Sequence, residues 1–295
     1  MQKSSGIIID DKPAGWTSFD VIAKLRSVLG IKRIGHSGTL DPMATGVLPV
    51  FIGRATRAIE FCENSDKEYI TGLRFGLVTD TQDITGKMLS SSDAFISAEE
   101  LSAVLPHFLG CQKQIPPMYS AIKIDGKKLY SLARRGVEIE RPPRDIYISC
   151  IEILECRDDE YLLRIVCSKG TYIRTLCHDI GKYLGCGGVM SSLRRIRAGP
   201  YTIDMSRALE EVLNDISSGA GLGYLIPTDS VFSEYPAITL SHTDTLRCRN
   251  GALFQVENMA DGRYRFYGPD DEFILLGDIV NNTVKPVKSF FERGF

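Results

Sequence analysis

The sequence predicts a mixed α/β fold followed by a small β domain, and three observations predict it. Strand-like runs outnumber the helical stretches able to cross between them and show no regular strand-helix-strand rhythm, which argues for a mixed sheet over a doubly wound parallel one. Leu163, Ile165 and Cys167 fall at every second position, the period of a half-buried antiparallel strand. Past residue 234, short strand-like segments split by Asn-Gly, Asp-Gly and Gly-Pro pairs fit a β unit of about 60 residues.

"SGIIIDDKPAGWTS" opens with a short strand and a Pro-Ala-Gly turn. Thr17 or Ser18 can then cap a helix that buries Val21, Ile22, Leu25 and Leu29, with Gly30 closing it. Strands are expected at "TGVLPVFIG", "KEYITGLRFG", "IYISCIEILEC" and "YLLRIVCSKGTYI". Helices are expected at "SAEELSAVLPHFLG", "KLYSLARRG" and "YIRTLCHDIGKYLG". "SSLRRIRAG" is read as a short helix capped by Ser191 and Ser192 and facing a phosphate. "NDISSGAGLGYLIPTD" reads as a loose boundary segment, and "AITLSHTDTLRCRNGALFQV", "GRYRFYG" and "FILLGDIV" as the short strands beyond it.

The chain has 295 residues, 43% of them apolar, enough for one large core and a small second one. Its apolar runs stop well short of the roughly 18 residues that span a bilayer, and "MQKSSG" leads into no long apolar signal core, so a soluble, cytoplasmic protein is expected. The eight cysteines stand far apart with no Cys-x-x-Cys pair, which reads as free thiols in a reducing compartment and offers no metal-ligand spacing. No Walker loop and no G-x-G-x-x-G fingerprint supports a nucleotide cofactor.

Net charge is only −2, yet it is unevenly spread. Residues 123 to 144 carry +4 and residues 164 to 197 carry +6, which leaves −12 for the remainder. Such separation can steer a polyanion onto one face, although a solvated charged surface would look the same from sequence alone.

Against that background, "GHSGTLDPMATGVLPVFIG" presents His36, a small flexible turn and Asp41 just ahead of an apolar run. Pro42 restricts Asp41 to extended backbone angles, so the placement of the carboxylate is partly fixed; a purely structural turn would use the same residues. Arg174, near a strand-helix junction, can pair with a carboxylate and keep it charged, which suits a nucleophile better than a general acid. Asp80 and Asp83 sit among Thr, Gln and Gly as a surface turn would. Tyr69 and Tyr172 can offer rings to a planar ligand or serve as sheet-face tyrosines. "KIDGKKLYSLARRG" interleaves five bases with a turn and Tyr130, a composition suited to phosphate contact.

"DKPAGWTS", "GHSGTLDPMATGVLPV", "KEYI", "PPMYSAIKIDGKKLYSLARRG" and "CSKGTYIRTLCHDIG", in this order from about residue 5 to 230, resemble the bacterial tRNA pseudouridine(55) synthases. The resemblance implies the pseudouridine synthase fold with a mixed, largely antiparallel sheet: a catalytic domain over 1–230 with an RNA-clamping insertion near 112–145. The small β domain over 231–295 is similar, through "RNGALF" and "FILLG", to a divergent PUA domain. It further implies isomerisation of the T-loop uridine of tRNA, with Asp41 as nucleophile, Tyr69 stacking on the uracil and Arg174 pairing with Asp41. His36 would fill the space of the flipped bases, Tyr172 would line the pocket, Lys12 and Pro13 would support it, and Arg134 and Arg194 would meet the RNA backbone. No cofactor, metal, membrane or obligate protein partner is implied, and a monomer acting on the T-arm stem-loop is expected.

Departures from the family pattern are few. Ser37 stands where Thr is usual and keeps the hydroxyl; Cys177 and His178 replace small or acidic residues on a helix. A noncatalytic RNA binder would need the basic surfaces but not the Asp41, Tyr69 and Arg174 set, whereas a guide-directed enzyme acting on rRNA would retain that set.

Overall fold

The computed structural model describes residues 5–62, 65–124, 126–157, 160–257 and 259–291; residue 125 of the "KIDGKK" stretch lies outside them. Gly6–Lys12 (β1) is followed by a hairpin of Ile34–His36 (β2) and Thr45–Ile52 (β3). Lys67–Phe75 (β4) comes next, then a two-stranded ribbon of Leu77–Thr79 (β5) and Met88–Ser91 (β6). Gly110–Gln114 (β7) forms a sheet edge, and Lys123–Ile124 (β8) with Lys127–Lys128 (β9) makes a short hairpin in the basic segment. Arg144–Arg157 (β10), Glu160–Cys167 (β11), Gly188–Ala198 (β12), Tyr201–Thr202 (β13) and Arg207–Ala208 (β14) complete this part of the chain.

Ten of the described strands share one sheet, whose main path runs β14-β1-β3-β12-β4-β11-β10-β7. Pairing is antiparallel along it except between β14 and β1 and between β3 and β12, so the sheet is mixed and largely antiparallel as expected.

The first helix, Ser18–Leu29 (α1), forms as its sequence dictates. Thr17 and Asp20 make a reciprocal capping box, Gly30 ends the helix at φ 66°, and Val21, Ile22 and Leu25 are buried. A short helix at Ile59–Cys62 (α2) follows; Ala98–Val104 (α3) opens on a second capping box, Ser97 with Glu100, and tightens to a 3₁₀ turn where Pro106 stands. Leu129–Ala133 (α4) lies in the basic segment, and Ile173–Tyr183 (α5) follows β11 across a turn. The main core packs α1, α5 and Leu209–Ser218 (α6) against one face of the sheet.

Three sequence readings are corrected. "SSLRRIRAG" belongs to β12, so Ser191 and Ser192 cap no helix; the alternation of buried Leu193 and Arg195 with more exposed neighbours has strand period. Asn214 to Ser218, read as loose boundary, completes α6, whose amphipathic pattern runs on to Gly219 at φ 77°. "SHTDTLRCR", read among the strands, is the helix His242–Arg249 (α7), because Ser241 accepts from the Asp244 amide as an N-cap.

The remaining strands, Ala237–Thr239 (β15), Gly262–Tyr267 (β16), Phe273–Val280 (β17) and Thr283–Ser289 (β18), form a separate four-stranded sheet. It has a core of its own around Phe266, Ile274 and Ile279. Leu276 and Phe290 instead join a cluster with Ile7, Ile9, Val47 and Phe51, so the C-terminal sheet covers the face of β1 and β3 opposite α1.

Candidate active site

Asp41 stands in the loop of the β2-β3 hairpin, and that loop is held from several sides. Inside it, the Ser37 amide donates to the Pro49 carbonyl and the Ala44 amide to the Asp41 carbonyl, which closes the Asp-Pro turn. From α1, the buried Ser18 hydroxyl grips Leu40, accepting from its amide at 2.9 Å and donating to its carbonyl at 3.3 Å. From the turn after β1, the Gly15 amide donates to the Pro42 carbonyl. Lys12 is fully buried, and its ammonium donates to the carbonyls of Pro13, Trp16 and Pro42 at 2.8, 2.6 and 3.3 Å. All three of its donors are engaged, so Lys12 ties the Lys-Pro turn to the aspartate loop rather than pointing into open space. Burial pushes its pKa down to about 8, against the pull of Asp10 and Asp41.

Arg174 meets Asp41 from α5. Its Nη2 donates to Asp41 Oδ1 at 3.1 Å, and its Nε lies 2.8 Å from Oδ2 as a close charge contact without hydrogen-bond alignment. The arginine side chain is 4% exposed and the aspartate 35%, so the pair is buried on the cationic side and open on the anionic side. The guanidinium is fixed further by donating to the Thr81 carbonyl at 3.1 Å and the Tyr119 carbonyl at 2.9 Å. Asp83 reaches within 3.8 Å of it.

That last contact corrects the sequence reading of Asp83 as a surface turn. Asp83 is buried and accepts from the Thr81 and Thr85 hydroxyls and the Thr85 amide, while Asp80 is exposed as expected. The turn folds onto α5: Gln82, at φ 64°, accepts from the buried Thr175 hydroxyl, and the Met190 amide donates to the Gln82 carbonyl. The signal for this lay in long-range packing that no local pattern displays.

Tyr69 lies on β4, 8% exposed. Burial raises the pKa of its hydroxyl, Asp41 adds to the rise, and the neighbouring Arg195 opposes it. His36, half-buried at the end of β2, is pushed down to about 4 by burial and by the Arg195 charge, so it is a neutral imidazole at physiological pH. Tyr172 is the N-cap residue of α5, and Gln114 clamps it from both sides: its side chain donates to the Tyr172 carbonyl at 3.0 Å and accepts from the Tyr172 amide at 2.8 Å. Burial raises the Tyr172 pKa, with Arg174 and Asp41 both near enough to act on it.

The structure therefore brings Asp41, Arg174, Tyr69, Tyr172, His36 and Lys12 into one neighbourhood. Arg194 and Arg134 stand apart from its centre. Arg194 forks onto Asp11 at 2.7 and 3.1 Å, and exposed Arg134 stacks over Tyr130 with its guanidinium 5.4 Å from the ring centroid. Sequence reasoning missed Asp83, Gln114, Ser18 and Arg195, all buried polar groups whose importance lies in what they touch. Among the described residues no group of three or more His, Cys, Asp or Glu is arranged to hold a metal. Among the described residues no helix is long and apolar enough to cross a membrane.

Comparisons with known proteins identify the family. Residues 26–173 match the TruB family pseudouridylate synthase N-terminal domain, and residues 174–228 the tRNA pseudouridylate synthase B C-terminal domain. The chain is 39% identical over 290 residues to tRNA pseudouridine synthase B of Clostridium kluyveri, spanning 97% of this chain and 99% of the relative. It is 42% identical over 280 residues to the Fusobacterium nucleatum protein of the same name, spanning 95% and 97%. Among solved structures, the fold is similar to that in a Cbf5-Nop10-Gar1 complex, with a TM-score of 0.72 at 25% identity over 98% of this chain and 85% of that one.

Proposed function

The chain belongs to the TruB family of pseudouridylate synthases and converts tRNA uridine to pseudouridine; from that premise we propose that its target is the T-loop uridine at position 55 and that Asp41 is the catalytic nucleophile. The observation that carries the assignment of Asp41 is its ion pair with Arg174: a carboxylate still open to solvent, held by one hydrogen bond and one close charge contact to a buried guanidinium that also donates to the Thr81 and Tyr119 carbonyls.

The chemistry needs little else. Breaking the N1 to C1′ bond and joining C5 to C1′ involves no net redox change and adds no group, so no cofactor is required. A fixed carboxylate serves each of three opening steps: attack on C1′, attack on C6, or removal of the C2′ proton. Tyr69 supplies the ring on which the uracil stacks, and His36, neutral and half-buried, suits the apolar space left by the flipped bases. Proton loss from C5 completes the reaction, with a water ordered by Tyr69 as acceptor, since burial keeps the phenol itself protonated. Lys12 supports the pocket from below, while Tyr172 lines it. Arg134 and Arg194 belong to the backbone footprint, and the basic segment over 112–145 is the clamp on the T-arm.

We further infer a catalytic unit over 1–230 and a PUA-like unit over 231–295, acting as a cytoplasmic monomer without an obligate protein partner. The test is tritium release from a T-arm transcript labelled at C5 of uridine, followed by mapping. With a full tRNA transcript so labelled as well as the T-arm, one equivalent released per RNA and mapped to position 55 is expected; release from the full tRNA that maps outside the T-loop would overturn the T-loop assignment.

A further inference from the structure

Arg195 is absent from every role assigned above, yet it heads the fully buried side chains in size, at 1% exposure. A buried guanidinium is costly unless each of its donors has a purpose. Among the described residues no carboxylate forms an ion pair with it; its Nε donates to the Val47 carbonyl at 2.7 Å and its Nη2 to the Gly38 carbonyl at 3.0 Å. Gly38 lies three residues before Asp41, and Val47 lies on the strand into which the Asp41 loop runs, so one side chain holds both arms of the hairpin loop.

Its backbone placement adds the second half. β12 lies between β3 and β4, and Arg195 stands opposite Gly46 on one side and opposite Tyr69 on the other. Its charge acts on Tyr69, His36 and Lys12 alike. Asp41 comes from the loop that leads into β3 and Tyr69 from β4, and Arg195, on the strand between them, bridges the element carrying each.

Resting on the functional reading above, we propose that Arg195 is a positioning residue that sets the register between the Asp41 loop and the Tyr69 ring, so that carboxylate and stacked base meet in the reactive geometry. Catalysis depends steeply on such placement, and an error of about 1 Å is enough to cost about 100-fold.

The test pairs kinetics with an observable that does not depend on activity. For Arg195→Met, single-turnover pseudouridine formation is expected to fall about 100-fold, with T-arm affinity within about threefold of wild type. Combining it with Tyr69→Phe should cost no more than Arg195→Met alone, because both disturb one coupled unit. The His36 titration, followed by NMR, should move upward from about 4 once the neighbouring charge is gone. If Arg195→Met fails to fold, Arg195→Lys keeps the charge but cannot span both carbonyls, and a smaller loss confined to turnover is expected. Turnover per folded molecule within twofold of wild type, or losses that multiply with Tyr69→Phe, would overturn the proposal. Absence of tritium release from wild type would overturn the functional reading instead, and an unmoved His36 titration would then still refute the placement of Arg195.

Discussion

At the scale of single residues, Asp41 carries the sharpest expectation. Asp41→Asn keeps the size of the side chain but removes the nucleophile, so T-arm binding should persist while pseudouridine formation falls below detection; measurable turnover in pure protein would remove Asp41 from that role. Asp10 makes a different prediction. It is 1% exposed, neither carboxyl oxygen has a hydrogen-bond partner, and burial, helped by Asp11, raises its pKa to about 7. Between pH of about 4 and 7 the folded chain holds a proton that the unfolded chain has released, so this group's contribution to stability is lost as pH rises through that window. Asp10→Asn should therefore gain stability over wild type progressively from pH 4 to pH 8, by at most about 4 kcal/mol, readable as a widening difference in Tm. Asp41 was legible in the sequence because proline and a short motif mark it. Asp10 was not, since a carboxylate in a strand looks exposed until helix and sheet close over it.

Secondary elements show where local pattern suffices and where it does not. α1 was readable from Thr17 to Gly30 because its cap, apolar face and terminator are all local. β12 was misread because three arginines in four residues suggest one basic surface, whereas strand alternation parts Arg194 from Arg195 and a register shift between Arg195 and Arg197 redirects the third: Arg194 to Asp11, Arg195 to the loop carbonyls, Arg197 to Glu68. This sorting has a consequence for RNA binding. Asp11 already offsets the Arg194 charge, while Arg134 is exposed and stacked only on Tyr130, so Arg134→Ala should lower the slope of log K against log salt by about one and Arg194→Ala by less. Filter binding of a T-arm at several salt concentrations checks this, and a larger change for Arg194 would reverse the ranking. The close approach of β3 to β12 makes a further demand. Gly46 sits at φ 99°, and a Cβ there would lie 2.2 Å from the Arg195 carbonyl oxygen, so Gly46→Ala should cost at least about 2 kcal/mol in urea unfolding and reduce turnover with it.

Across the whole molecule, the sequence separated a basic stretch from an acidic remainder and set off the last 60 or so residues as a β unit, because composition and turn dipeptides are visible without a fold. It held no sign that this unit also packs against the outer face of β1 and β3, since a strand's two faces find their partners only when the sheets stack. Phe290 packs 4.8 Å from Phe273 and 5.6 Å from Phe232, ring centre to ring centre, in the cluster that buries Ile7, Ile9 and Phe51 beneath the strands bearing Lys12 and Val47. Arg54 and Arg57 reinforce the contact by donating to the Phe290 and Ser289 carbonyls at 2.9 and 2.8 Å. A module that merely added RNA affinity would leave stability untouched when its inner face is altered. Here Phe290→Ala should destabilise the chain by about 3 kcal/mol, through lost packing and the cavity left behind, while T-arm affinity at 25 °C stays near wild type. Thermal unfolding and filter binding separate the two effects: an unchanged Tm with weakened binding would make the C-terminal sheet an RNA-binding appendage, whereas a lowered Tm with intact binding makes it part of the scaffold that holds the Asp41 loop in place.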